Sequence, residues 1–95
     1  TFGSDGMPEG PLVGLDYAMN RKQYKQQDLS LQEAITAYTQ AGANLVGAGK
    51  ERGSITEGKQ ANLILLDRNP FDHQSDLRHV SVVKTWYNGN TVYTL

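Results

Sequence analysis

The chain has 95 residues, nine of them basic and ten acidic, for a formal net charge of -1, and it contains no cysteine. A length of this order allows one modest domain with a limited buried fraction and excludes a self-contained two-domain enzyme. The near-neutral balance argues against nucleic acid or an anionic membrane as the principal partner, and the absence of cysteine excludes a disulfide framework, a thiolate nucleophile and a cysteine zinc site.

Glycines at 3, 6, 10 and 14 with Pro8 and Pro11 predict a loop before Pro11. Pro11 suits the first turn of a helix, where its missing N–H costs nothing, and Leu12, Leu15 and Met19 then share one face. Residues 20–28 are almost wholly polar and read either as a solvated helical extension or, preferably, as a mobile connection. Ser30 and Glu33 have the spacing of a capping box, so a second helix starts there. Leu31, Ala34, Ile35, Tyr38, Ala41, Leu45 and Val46 continue its apolar stripe, Gly42 marks a break into two pieces, and Gly47 and Gly49 end it.

Thr56-Glu57-Gly58-Lys59 reads as a tight turn with a positive φ at Gly58. Leu63-Ile64-Leu65-Leu66 follows as a continuous apolar run, which predicts a central strand covered on both faces, and Asp67 to Pro70 stops it. Residues 71–79 are irregular, with one helical turn expected around Gln74 to Leu77. From Val80 to Thr94 the chain is rich in β-branched and aromatic residues about Asn88-Gly89, which predicts a type I′ hairpin with Trp86 opposite Thr91. Val80, Val82 and Trp86 share a face interrupted by Lys84, and Trp86 is expected to anchor the sheet interior. The fold class is α+β: two or three helices, then a small, mostly antiparallel sheet. Three strands cannot cover their own edges, so either copies of the chain associate through them or the missing strands lie elsewhere in a longer polypeptide.

Phe2-Gly3-Ser4-Asp5, the following proline and helix, Leu29 to Ala34 leading to Ala37-Tyr38-Thr39, the run from Gly53 to Asp67 and the closing hairpin resemble, in that order, the C-terminal end of the amidohydrolase superfamily, in its N-acyl-amino-acid deacylase-like branch of metal-dependent hydrolases. The resemblance covers essentially the whole chain. It implies a (β/α)8 barrel with a metal centre at the C-terminal ends of its strands and a composite β-sandwich built from segments before and after the barrel. Residues 1–50 then correspond to the last barrel strand, loop and helices, and residues 51–95 to the C-terminal part of the sandwich.

By the same resemblance Asp5 occupies the position of the aspartate at the end of the eighth strand, catalytic and in contact with the metal or its water. A carboxylate there can take a proton from a metal-activated water and return it to the leaving nitrogen during C–N hydrolysis. The implied cofactor is a divalent metal, zinc, in the full-length parent, and its other ligands would lie upstream; none is expected in the isolated chain, which is predicted inactive. The implied partners are the upstream sandwich strands and barrel and a small amide-type substrate, with association of copies through the sheet as an outcome for the isolated chain. Asn62 departs from the pattern, since relatives commonly carry Asp there.

Other readings are weaker. Without the resemblance, Gly3-Ser4-Asp5 is an ordinary turn. His73 and His79 have no recognised ligand spacing and read as solvated or capping residues, and the loop ahead of Pro11 lacks a phosphate-binding ending. Arg21, Lys22 and Lys25 with Tyr17 and Tyr24 read as a solvated face before a nucleic-acid patch. No apolar run could span a bilayer and residues 1–5 lack the features of a signal peptide, so a soluble cytoplasmic protein is expected. A first residue other than Met suggests a piece of a longer protein, with loss of the initiator and a few residues as the alternative. The competing function is a non-catalytic β-rich binding or assembly module.

Overall fold

The computed structural model describes residues 10–20 and 28–95. Asp5, the loop ahead of Gly10 and the segment carrying Arg21, Lys22, Tyr24 and Lys25 lie outside the described residues.

Pro11 opens helix α1, Pro11–Met19, from a Gly10 N-cap in extended conformation. Leu15 and Met19 are buried and Leu12 packs beside them, the face that the spacing predicts. The Leu29 N–H donates to the Ala18 carbonyl at 3.1 Å, so the chain returns to the end of α1 before the next helix starts. Helix α2, Leu31–Tyr38, begins with the predicted capping box: the Glu33 N–H donates to Ser30 Oγ at 3.1 Å, and the Ser30 N–H donates to Glu33 Oε1 at 3.0 Å. Two orphan donors of the first turn are thereby satisfied.

The expected break in this helical stretch falls at Thr39, three residues before Gly42. Thr39 sits at φ -120° and ψ -89° between α2 and helix α3, Gln40–Leu45, and its Oγ1 donates to the Ile35 carbonyl at 2.8 Å. A hydroxyl bonded back to the preceding turn competes with the helical ladder and bends it. The bend ends the apolar stripe early: Leu45 is 73% exposed and Val46 is exposed too, while Ala43 and Ala48 are buried in their place. Gly47, at φ 76°, then closes α3 in a Schellman arrangement, with the Ala48 N–H on the Ala43 carbonyl and the Gly47 N–H on the Asn44 carbonyl.

After the turn at Thr56 to Lys59, closed by a 3.1 Å bond from the Lys59 N–H to the Thr56 carbonyl, strand β1 runs over Leu63–Leu66. Strands β2, Val82–Tyr87, and β3, Asn90–Thr94, form the predicted hairpin, with positive φ at both Asn88 and Gly89 and Trp86 opposite Thr91. The sheet is antiparallel in the order β1-β2-β3. The expectation of a covered central strand at Leu63 to Leu66 is therefore corrected. Hairpin connectivity places β2 in the middle, and β1 is an edge whose Ile64 and Leu65 are 56% and 49% exposed. Trp86 likewise lies partly exposed, with Lys84 Nζ 5.0 Å from its ring centroid, instead of anchoring an interior. In place of one helical turn at Gln74 to Leu77, two 3-10 turns flank that point, at Pro70–Asp72 and Leu77–His79.

The core explains these exposures. Leu15, Met19, Leu31, Ala34, Leu77 and Val80 form one buried cluster, and of the strands only β1 adds a residue packed against it, Leu66. The burial that stabilises this chain is thus between helices and the second 3-10 turn. The sheet projects from that cluster with apolar side chains still in water.

Candidate functional site

Sequence reasoning nominated one site residue, Asp5, and it lies outside the described residues. The described part that bears on it is α1, which begins six residues later at Pro11. Asp16 on α1 has both carboxylate oxygens engaged: Arg78 Nε donates to Oδ2 at 3.0 Å, and Asn20 Nδ2 donates to Oδ1 at 3.0 Å. The same guanidinium lies 4.7 Å from the ring centroid of Tyr17, in cation–π range. Tyr17 first, and Asp16 next, push the Arg78 pKa above its ordinary value, so the guanidinium is cationic throughout the working range. Sixty-two residues separate the ion pair, and nothing local in the sequence signals it.

A second polar group gathers beside the Gly58 turn. Lys59 Nζ donates to Ser54 Oγ at 2.8 Å and to Gln40 Oε1 at 3.2 Å, at the edge of an open depression of about 240 Å³ lined also by Thr56, Glu57 and Leu63. These bonds tie the turn to α3 and place no reactive pair at the depression.

At the end of β1, the Asp67 N–H donates to the Ser81 carbonyl at 2.9 Å, and Asp67 Oδ1 accepts from the Ser81 N–H at 3.0 Å; Arg68 grips the same carboxylate through Nε and Nη2. The Ser81 N–H, and then Arg68, hold the Asp67 carboxyl below the usual carboxylate range. Ser30 does the same for Glu33. A group whose folded pKa is lowered contributes stability that is complete above its unfolded pKa, about 4, and is lost as pH falls through the folded value. Hydrogen exchange at the β1–β2 end should therefore accelerate as pH drops below about 4, beyond the intrinsic pH trend, and Asp67→Asn should flatten that dependence.

Asn62 is a residue whose role sequence reasoning missed. Its Oδ1 accepts the Asn88 N–H at 2.8 Å, and the Gly89 N–H donates to the neighbouring Ala61 carbonyl at 3.0 Å, so the entry to β1 holds the hairpin turn. An aspartate could accept the same N–H, which makes physical sense of the departure at this position.

His79 Nδ1 pairs with Asp76 on an exposed turn, and His73 caps the first 3-10 turn through its N–H to the Pro70 carbonyl. Among the described residues no three His, Asp or Glu side chains gather in a group that could hold a metal ion. Among them, too, no helix is long and apolar enough to cross a membrane.

Helices on one side and an open antiparallel sheet on the other define a small α+β chain whose strands await partners. The sequence model of the amidohydrolase family matches residues 1–93, and the chain belongs to that family. It is 45% identical over 58 residues to the N-substituted formamide deformylase of Arthrobacter pascens, covering 60% of this chain and 11% of that protein. It is 29% identical over 91 residues to the imidazolonepropionase of Thermoplasma volcanium, covering 95% of this chain and 22% of the relative. An amidohydrolase crystal structure from Thermotoga maritima superposes with a TM-score of 0.69 at 22% identity, over 90% of this chain and 19% of that one. The chain thus spans about a tenth to a fifth of the length of the proteins it matches.

Proposed function

We propose that this chain is the C-terminal segment of a metal-dependent amidohydrolase whose complete polypeptide hydrolyses a C–N bond in a small amide-type substrate. The observation that carries the reading is the family match over residues 1–93, on a chain whose apolar sheet is exposed along its edges. Residues 1–50 end a (β/α)8 barrel, and residues 51–95 add strands to a composite β-sandwich. Removal of a formyl group from nitrogen, the reaction in the name of the Arthrobacter pascens relative, is C–N cleavage, and it supports the choice of chemistry.

Asp5 is the active-site residue of the segment, acting on the proton of the attacking water. A catalytic zinc takes three protein ligands. The described residues do not fit such a centre, so its ligands other than Asp5 belong to the rest of the parent, and no reaction step is assigned to the described side chains. Their part is positional: the buried cluster seats α1 behind Asp5 in the chain. The upstream strands and barrel are the partners of the exposed sheet.

In the full-length polypeptide Asp5→Asn should lower kcat on N-substituted formamides, or on whichever amide the parent accepts, by about 10² to 10⁴-fold. An unchanged kcat would remove Asp5 from the chemistry. The 95-residue chain alone should show no hydrolysis and retain no stoichiometric zinc after dialysis; substantial activity in it would overturn the segment reading.

A further inference from the structure

We propose that Arg78 is a positioning residue for this hydrolysis, fixing the rotation of α1, the helix that starts six residues after Asp5, through its grip on Asp16 and Tyr17. The inference rests on the reading of Asp5 given above.

Two kinds of contact seat α1. The first is apolar: Leu15 and Met19 pack in one cluster with Leu31, Ala34, Leu77 and Val80. Apolar burial is non-directional and resists withdrawal of the helix much more than a turn about its axis. The second is directional. Asp16 and Tyr17 are consecutive and point about 100° apart around the helix, and one guanidinium takes a 3.0 Å hydrogen bond from the first and the ring face of the second. Asn20 occupies the other carboxylate oxygen, so the carboxylate cannot swivel to follow a displaced partner without losing a bond.

Arg78 itself stands in the second 3-10 turn, directly after the fully buried Leu77, and so the anchor is tied to the same core. A rotation of about 25° at the Cα radius of a helix moves the backbone by about 1 Å. A catalytic group misplaced by about 1 Å can lose about 10²-fold in rate. The ion pair is half open to solvent on the Arg78 side, and exposed pairs of this kind contribute little to global stability. Its effect should therefore appear in turnover before it appears in unfolding.

The test uses the full-length polypeptide with Arg78→Ala, Arg78→Lys, Asp16→Asn, the double variant Asp16→Asn with Arg78→Ala, and Asp5→Asn as reference. Arg78→Ala should lower kcat about 10- to 100-fold while KM, metal content and melting temperature stay near their original values. Asp16→Asn should act in the same direction, and the double variant should be no worse than Arg78→Ala, because both remove one interaction. Arg78→Lys, which keeps the cation but not the fork, should give an intermediate kcat.

If Asp5→Asn abolishes turnover while Arg78→Ala leaves kcat unchanged, the positioning role is wrong. A fall in kcat that tracks a fall in melting temperature, with no recovery in Arg78→Lys, overturns it in favour of a merely structural pair. If Asp5→Asn itself is harmless, the functional reading fails and this inference falls with it.

Discussion

Leu77→Ala should cost about 2–5 kcal/mol of local stability, the range for a buried leucine truncated where the surroundings cannot collapse. Leu77 is 0% exposed and stands in the cluster with Leu15, Met19, Leu31, Ala34 and Val80. Those neighbours come from two helices and from the segment leading into β2, so none can move into the void without dragging its own element. A loss of this size is a large share of the stability of any domain this small. Hydrogen exchange read peptide by peptide should show the amides of α1 and α2 losing protection together. Leu45→Ala, at a residue 73% exposed, is the control and should change protection by no more than about 0.5 kcal/mol. Equal effects at the two leucines would mean that the cluster is not what holds the helices.

Gly53→Ala should be the second severe substitution, at about 2–5 kcal/mol when backbone strain and overpacking are combined. Gly53 has φ +106°, a conformation that a side chain resists. A Cβ there would also lie 2.8 Å from the Ala43 Cβ and 3.1 Å from the Gln40 Cα, so α3 itself would have to shift. Gly58 separates the two causes. Its φ is +90°, but no atom lies within 4 Å of a Cβ built on it, so Gly58→Ala should suffer strain alone, about 1–3 kcal/mol. Exchange protection in α3 and at the Gln60 N–H, which donates to the Glu51 carbonyl at 2.7 Å, should fall further in Gly53→Ala than in Gly58→Ala. The reverse order would show that the approach of the 53 region to α3 carries no weight.

Both sites bear on how the proposed active-site segment is held. Leu77 lies immediately before Arg78 and carries it to α1, so loss of the core contact should weaken the Asp16 ion pair as well. Gly53 lies where the chain leaves the helices for the sheet, close to the Lys59 bonds to Ser54 and Gln40. The helical side and the strand side of the chain are thus joined by few, specific contacts.

Local chemistry is what the sequence by itself determined. Ser30 and Glu33 are three residues apart and need no distant partner to make a capping box; Pro11 starts a helix by its own ring; Asn88-Gly89 turns a hairpin and sets Trp86 against Thr91. The family, too, was legible, because an ordered series of short motifs survives without any knowledge of contacts.

Tertiary structure alone decided the rest, for one physical reason: which side chains are covered depends on elements far apart in the chain. The stripe from Leu31 should have run on to Val46, but the Thr39 bend exposed Leu45 and Val46 and buried Ala43 and Ala48. Leu63 to Leu66 has the composition of a central strand, yet the hairpin claims the centre and leaves that run at an edge. Asp16 and Arg78 are two ordinary polar residues until the fold closes 62 positions and leaves 3.0 Å between them.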